Sequence, residues 1–237
     1  MNVSPDLLSE FTRTLSAQTS DELPQRLCGA FAQVVGADGA AITVGSTPSA
    51  RSLLAVTGRD AEELEDLQDM IGEGPSLRAM TGEGPAVLDA HAADTITVWP
   101  GLMKALLDHT TWRPPPALYA FPMRPQKSVL GVLTAHQHDS SGLKVGLEQA
   151  QFLANAIGVA VLGDFGSGSA TNERWLARDR VSQATGMVVA QLGLSPEDAL
   201  AVLRAHAYAH DAALSQVSSR VVDRSLRFAA PLEEGPS

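Results

Sequence analysis

The sequence predicts an α+β domain followed by a small all-α domain of three helices. Residues 1–163 combine helical apolar spacing with strand-like segments, which is typical of helices that flank a mostly antiparallel sheet. Residues 164–172 are rich in Gly and Ser and lack apolar periodicity, so we expect a linker there. Residues 173–228 show helical spacing alone, and residues 229–237 are expected to form a disordered tail.

The elements of the first domain follow from its apolar spacing. We expect helices over residues 7–15, 23–35, 61–70 and 147–162. We expect strands over residues 40–44, 53–57, 117–123 and 129–136. A turn with Pro48 separates the first two strands, and residues 124–127 join the last two as an antiparallel pair. The carboxylates of residues 60–73 alternate with Leu and Met, as on the solvated face of an amphipathic helix.

The second domain has clear helix boundaries. We expect a first helix over residues 173–192 that Gly193 ends, and a second that Ser195 caps and Pro196 begins. A third helix is expected over residues 214–228. The core-facing residues are expected to be Val181, Ala184, Val188, Leu192, Ala199, Leu200, Leu203, Ala207, Leu214, Val217, Val221 and Leu226. Three helices in about 55 residues give a marginal core, so docking on the first domain or on a second copy would stabilise them.

The composition excludes several classes of protein. With 44% hydrophobic residues, the 237-residue chain can fill a core and is not typical of disorder. Its longest apolar stretches are too short to span a bilayer, and residues 1–14 lack the apolar run of a secretion signal. The single cysteine, Cys28, cannot form an internal disulfide, which agrees with a reducing compartment. We therefore expect a cytoplasmic protein.

The charge is distributed unevenly along the chain. A formal net charge of −10 counts against nucleic acid as a partner, because phosphate binding needs local positive potential. Residues 1–172 carry 10 Lys and Arg against 19 acids, a balance of −9, whereas residues 173–228 carry 7 Arg against 6 acids, a balance of +1. The asymmetry indicates separate tasks, although +1 is far from a strongly basic footprint.

Residues suited to metal or nucleophilic chemistry are few. His206 and His210 share a helix face, but the zinc-protease pattern requires Glu directly after the first His, and Ala207 stands there. His136 and His138 have no Cys or carboxylate cluster near them in sequence, so we interpret them as surface histidines near a strand end. Cys28 lies in an apolar helical run and is expected to be a buried, inert thiol. We predict no metal site.

The tetrapeptide Gly-Glu-Gly-Pro occurs at residues 72–75 and 82–85. It lacks the following Gly-Lys-Ser/Thr of a phosphate-binding loop, and its acid would repel phosphate. We interpret each copy as a turn, with Pro75 beginning a helical turn and Pro85 preceding a strand. No catalytic constellation emerges, so we predict no catalytic residues and no enzyme.

The second domain resembles an ANTAR domain. The resemblance rests on VSQATGMVVAQLG at residues 181–193, SPEDALAVLRAHA at 195–207 and VVDR at 221–224, and it covers nearly all of residues 173–228. It implies an RNA-binding output module that acts as a homodimer and favours a hairpin preventing transcription termination. The partners implied are an RNA hairpin and a second copy of the chain.

Residues for RNA contact follow from this resemblance and from the chemistry of their side chains. Arginines read phosphates, Tyr208 can stack on an unpaired base, and Ala184 and Gly186 allow helices to approach closely. The expected RNA-binding residues are Arg178, Arg180, Gln183, Ala184, Gly186, Arg204, Tyr208, Arg220 and Arg224. Related domains often carry basic residues just before helix three, where this chain has Asp211, Ala212 and Ala213. That departure weakens phosphate attraction.

The first domain is similar to the GAF domains found ahead of ANTAR domains. This looser resemblance rests on GADGAAI at residues 36–42, on Trp99-Pro100, and on the strand pair near residues 121–123 and 129–133. It implies a sensory domain that responds to a small-molecule ligand or a partner, and the sequence identifies no cofactor for it. The leading interpretation is therefore a cytoplasmic, dimeric, signal-responsive regulator that binds RNA hairpins. One alternative is a dimerisation or protein-interaction module that has lost RNA binding. A second alternative is a GAF-type methionine sulfoxide reductase. Such an enzyme needs several reactive cysteines, whereas this chain has Cys28 alone.

Overall fold

The computed structural model describes residues 5–45, 47, 51–81, 84–89, 97–108, 117–126, 128–138, 142–166 and 180–228. The first domain contains α1 Pro5–Ala17, α2 Leu23–Val35, β1 Gly39–Gly45, β2 Arg51–Thr57, α3 Ala61–Ile71, α4 Pro75–Met80, β3 Ala86–Asp89, α5 Pro100–Asp108, β4 Ala117–Met123, β5 Gly131–Gln137 and α6 Leu147–Gly166. The helical unit that follows contains α7 Arg180–Leu192, α8 Pro196–Ala209 and α9 Leu214–Val222.

The strands form one antiparallel sheet in the order β2-β1-β5-β4-β3. The predicted hairpin of β4 and β5 is present, with Phe121 opposite Leu133. Gly131 allows β5 to lie against β1, because a Cβ built there would be 2.1 Å from the carbonyl oxygen of Thr43. The predicted fold class, an α+β domain followed by three helices, is confirmed.

Helices cover both faces of the sheet. Along β4, Phe121 and Met123 point into a core shared with α1, α2 and α6, whereas Leu118 points into a second core with α3 and α5. This alternation follows from the two-residue period of a strand. Phe31 of α2 meets Phe121 edge to face, with ring centroids 6.0 Å apart. The second face, beneath α3 and α5, is the side on which the helical unit docks.

Several element boundaries differ from those predicted. Apolar spacing did not reveal α5, whose first amides, of Gly101 and Leu102, donate to Glu73 Oε2 at 2.9 and 3.3 Å. Helix α6 continues to Gly166 and enters the segment expected to be a linker. The predicted helix over 214–228 ends at Val222, because Arg224 adopts a φ of 60° and breaks the helical path.

The remaining boundary predictions divide into two groups. Pro75 begins α4, and Ser195 caps α8 by accepting a 3.1 Å hydrogen bond from the amide of Asp198, as expected. Gly193 ends α7 with a φ of 67°, which glycine adopts without strain. The other predictions concern segments that lie outside the described residues. These segments are the turn with Pro48, the first Gly and Glu of the second Gly-Glu-Gly-Pro, and residues 167–179 and 229–237.

The helical unit has a small core that extends into the first domain. The buried members are Ala184, Val188, Ala199, Leu200, Leu203, Ala207, Leu214, Val217 and Val221, as the helical spacing predicted. Met70 of α3 packs against this core and also against the core beneath the sheet. The three helices therefore dock on the first domain. Within the described residues, no helix is both long and apolar enough to cross a membrane.

Candidate functional site

The helical unit places the residues expected to contact RNA in two main groups. Arg204 and Tyr208 lie four residues apart on α8 and therefore share one face of that helix. Arg180 begins α7, whereas Arg220 and Arg224 lie at the end of α9 and just beyond it. The remaining predicted arginine, Arg178, lies outside the described residues.

Arg204 is held by the first domain. Its Nε donates a 2.8 Å hydrogen bond to the backbone carbonyl oxygen of Asp69, near the end of α3. The guanidinium also packs on Gly72, where an added Cβ would lie 3.1 Å from Nη1. Burial lowers the pKa of Arg204, and the negative charge of Asp69 opposes that shift. A side chain expected to read phosphate is thus half-buried in a contact between the two domains.

Tyr208 lies on the same side of α8 and is 59% exposed. It is close enough to Lys104 on α5 to influence that ammonium group. The pKa of Lys104 is raised first by its hydrogen bond to Asp108 and by the charge of Asp108, and further by Tyr208. The face of α8 that carries Arg204 is therefore turned toward α3.

The second group of arginines is open to solvent. Arg180 Nη1 lies 3.0 Å from Asp223 Oδ1, and the two side chains are 38% and 59% exposed. Exposed ion pairs of this kind contribute only about 0–1 kcal/mol to stability. Asp223 brings Arg180 to the part of the chain that carries the exposed residues Arg220 and Arg224. These three arginines are accessible to a phosphate in the docked arrangement.

The residues expected on α7 have different environments. Gln183 and Gly186 are exposed, whereas Ala184 is fully buried at the centre of the three-helix core. The expectation that Gly186 permits a close helix approach is wrong within the described part of the chain, because a Cβ built there meets no atom within 4 Å. Ala184 fits that expectation, since no larger side chain would find room between the helices.

The loop between α8 and α9 presents an acid to solvent. Asp211 is exposed and adopts a φ of 49°, a conformation that Asp tolerates better than most side chains. Ala212 and Ala213 are half-buried, and Ala213 precedes α9 without a side-chain cap. The loop therefore adds negative charge directly before α9.

Asp69 connects the docked helix to a buried polar network. Its Oδ1 accepts a 2.6 Å hydrogen bond from Arg51 Nε, and Arg51 Nη1 lies 3.0 Å from Glu65 Oε2. Ser76 Oγ donates to the same Glu65 oxygen at 3.0 Å. Arg51 and Glu65 are only 4% and 3% exposed, so the interpretation of residues 60–73 as a solvated acidic face is wrong for Glu65. Its carboxylate is buried because Arg51 neutralises it.

A cleft of about 280 Å³ separates α3 from α7 and α9. Its first-domain wall includes Glu62 and Asp66, and its opposite wall includes Arg180 and Ser219. Burial raises the pKa of Asp66 to about 7, and the neighbouring Asp69 and other acids add to the shift, while Arg51 opposes it. Asp66 therefore changes charge near neutral pH at the boundary between the domains.

The space between the sheet and α3 is nearly filled. A cavity of about 10 Å³ lies there, lined by Glu65, Gln68, Tyr119 and Thr134 among others. Such a volume holds about one water molecule. Thr134 Oγ1 donates a 2.8 Å hydrogen bond to Glu65 Oε1, so the polar network of α3 reaches the sheet directly.

Cys28 and the histidines considered for nucleophilic or metal chemistry lie in different environments. Cys28 is buried, as expected, and burial raises the pKa of its thiol. His206 and His210 stack with ring centroids 4.0 Å apart. The interpretation of His136 as a surface histidine is wrong, because its side chain packs beneath Gly39 and the residue is 3% exposed.

The ANTAR domain model matches residues 170–222. The chain is also similar to the GAF domain of a phosphoenolpyruvate-protein phosphotransferase from Coxiella burnetii, with 18% identity, 69% of this chain and 95% of that chain covered, and a TM-score of 0.48. A second similar structure is the second GAF domain of DevS from Mycobacterium smegmatis, with 18% identity, 61% and 96% covered, and a TM-score of 0.41. No curated protein matches the chain significantly.

Sequence reasoning missed the contact surface on α3. Met70 continues the apolar stripe of Leu64 and Leu67, so helical spacing assigns all three to the core of the first domain. Nothing in that spacing reveals that Met70 also contacts a second core. The role of Asp69 was hidden as well, because Arg204 binds its backbone carbonyl oxygen rather than its side chain.

Proposed function

We propose that this protein is a signal-responsive, non-catalytic regulator that binds RNA hairpins through its helical unit and senses through its first domain. The observation that carries the proposal is the ANTAR match at residues 170–222, on a unit whose Arg204 is bound by the first domain. The proposal includes a homodimer that controls transcription termination, as the resemblance of residues 181–224 implies, and a cytoplasmic location, as the composition and the single cysteine indicate.

Each group of residues has a distinct task in this proposal. Arg180, Arg220 and Arg224 contact phosphates, because they are exposed and lie near one another around Asp223. Tyr208 stacks on an unpaired loop base, the usual way in which proteins read single-stranded RNA. Gln183 and Gly186 lie on the exposed side of α7, where bound RNA or a second copy can approach.

Docking supplies the regulatory step. While Arg204 donates to Asp69, its Nε cannot donate to a phosphate, and the adjoining face of α8 lies against α3. A signal that loosens this contact frees Arg204 and widens the RNA-binding surface. A half-buried hydrogen bond of this kind contributes about 1 kcal/mol, which is within reach of a ligand or partner that binds only the released form.

RNA binding is tested by titrating the full chain against short hairpins that share a stem and differ in the loop, at several salt concentrations. We expect loop-dependent binding whose affinity falls with salt. Arg220→Ala and Arg224→Ala should each weaken binding and reduce the salt slope by about 0.7–0.9. Absence of loop-dependent binding at low salt would overturn the RNA proposal.

Regulation by docking is tested with Met70→Asp, which breaks the apolar contact without touching any residue assigned to RNA. We expect hairpin affinity to rise severalfold, although the added negative charge opposes RNA binding. The matched control is Leu107→Asp, since Leu107 is an apolar residue of α5 that is 71% exposed. Equal affinities of the two variants would argue against occlusion by the first domain.

A dimerisation module without RNA binding is the second candidate function. It is favoured by the acid at Asp211 and by the use of Arg204 in an internal contact. The double variant Arg220→Ala/Arg224→Ala, which leaves the docking contact of Arg204 in place, discriminates between the two functions. If the protein binds RNA, the double variant should lose hairpin affinity. If the protein is a dimerisation module alone, the unmodified chain should show no hairpin affinity, and the variant should keep the same mass in sedimentation.

A further inference from the structure

Three metal-ligand side chains converge at one end of the sheet. Asp60 precedes α3, His136 lies near the end of β5, and His138 follows that strand. One donor atom from each lies within 4.8 Å of the other two. His138 Nε2 is 3.0 Å from Asp60 Oδ2, and the two imidazole rings meet edge to face with centroids 5.6 Å apart.

The backbone is built to hold these groups in place. His136 pairs with Gly39 across β5 and β1, and a Cβ at Gly39 would lie 2.4 Å from the His136 ring. Glycine at that position therefore makes room for the imidazole. The amide of His138 donates a 2.7 Å hydrogen bond to Asp38 Oδ2, which fixes the chain directly after β5. Asp60 occupies the N-cap position of α3, yet its side chain makes no capping hydrogen bond.

The electrostatic environment suits a cation. His136 is 3% exposed, and the fold holds its ring beside the carboxylate of Asp60. The carboxylates of Asp60 and Asp38 supply negative charge on either side. A divalent ion would be attracted by both carboxylates and ligated by the imidazole nitrogens of His136 and His138.

We propose that Asp60, His136 and His138 bind one divalent transition-metal ion, with Zn²⁺ as the best fit. Imidazole nitrogen and carboxylate oxygen are preferred ligands of zinc, at about 2.0–2.2 Å. Tetrahedral ligand atoms then lie about 3.3 Å apart. The Asp60–His138 separation is already near that value, and the ring of His138, which is 41% exposed, can move to complete the set. Three protein ligands leave a fourth position open to water or a small ligand.

The site is distant in sequence and in the fold from the RNA-contacting residues. It lies at the beginning of α3, whereas Arg204 binds at the other end of that helix. Metal binding therefore stands independently of the proposed function, and each can fail without the other. Sequence reasoning dismissed the two histidines because the carboxylate ligand, Asp60, is far away along the chain.

The test uses the full chain with any affinity tag removed. Zn²⁺ titration by calorimetry should give one ion per chain, and Co²⁺ should produce the visible absorption of a site with nitrogen and oxygen ligands. His138→Ala should weaken binding at least tenfold. Because the side chain of His138 is 41% exposed, its removal should leave the fold intact. Asp60→Asn should weaken binding in the same direction.

A matched control is the double variant His206→Ala/His210→Ala, which removes the other close histidine pair. It should bind Zn²⁺ as the unmodified chain does. Thermal unfolding provides a second readout, because an ion that binds the folded chain raises Tm in the unmodified protein and not in His138→Ala. The proposal is overturned by absence of stoichiometric binding, by equal affinity in His138→Ala, or by loss of binding in the control.

Discussion

The two sides of α3 hold an arginine each, and they hold it differently. On the inner side, Arg51 is 4% exposed and meets the carboxylates of Glu65 and Asp69. On the outer side, Arg204 is half-buried and meets the backbone carbonyl oxygen of Asp69 through one hydrogen bond. Breaking the inner contact would strand buried charges, whereas breaking the outer contact returns Arg204 to water. The inner contact therefore belongs to the fold, and the outer contact suits a reversible function.

The largest effect is expected for Arg51→Met, which removes the inner cation and leaves Glu65 buried without its partner. The loss should be about 3–5 kcal/mol in the free energy of unfolding, measured by urea denaturation. The control is Lys104→Met, because Lys104 and Asp108 form an exposed ion pair whose loss should leave the urea midpoint nearly unchanged. Equal losses in both variants would contradict the distinction drawn between the two sides of α3.

A smaller effect is expected for Asp66→Asn, at the cleft between the domains. The pKa of Asp66 is about 7 in the folded chain and 3.8 in a model compound, so the folded state binds the proton more tightly. Ionisation of Asp66 therefore lowers the free energy of unfolding as pH rises from about 4 to 7, by at most about 1.4 kcal/mol per pH unit.

The measurement is Tm or urea unfolding of both proteins at about pH 5 and about pH 8. Asp66→Asn should be more stable than the unmodified chain at the higher pH, and the advantage should shrink at the lower pH. A difference between the two proteins that does not change with pH would show that Asp66 is not the titrating group.

The smallest effect on stability is expected for Arg204→Ala, which removes the outer contact. We expect a loss of about 1 kcal/mol, or about a fivefold shift toward the undocked form. Hydrogen exchange should become faster at the end of α3, near Met70. Arg220→Ala is the matched arginine control, because Arg220 is an exposed residue of α9. Faster exchange of α3 in that control as well would contradict a specific role for Arg204.

Local signals predicted much of the fold. Leucine and valine spacing located α2 to the residue, and Ser195 with Pro196 located the beginning of α8, because these signals act within a few residues. The end of α9 was missed because the residue with the positive φ is Arg224, whereas the sequence signal for a helix end of this kind is a glycine. Helix α5 was missed because its first amides are satisfied by Glu73, which lies far away in sequence.

The candidate sites were predictable only in part. Arg204 was identified from the motif that carries it and Tyr208 from the chemistry of its ring, but the neighbour of Arg204 on α3 was not predicted. The contact of Arg204 with Asp69 and that of Asp60 with His138 each join residues far apart along the chain. Apolar periodicity reports which face of a helix is covered, and it does not report which element covers it.

Glu73 connects the end of α3 to the beginning of α5. Its carboxylate follows α3 in the chain and holds the first amides of α5, so the end of α3 and the beginning of α5 are tied together. Asp69, whose backbone oxygen accepts from Arg204, lies on the first of these two helices. A displacement of either helix would therefore also disturb the contact that holds α8. Undocking should accordingly be an all-or-none event, so that a graded stimulus yields a change in the fraction of molecules released rather than a partly opened molecule.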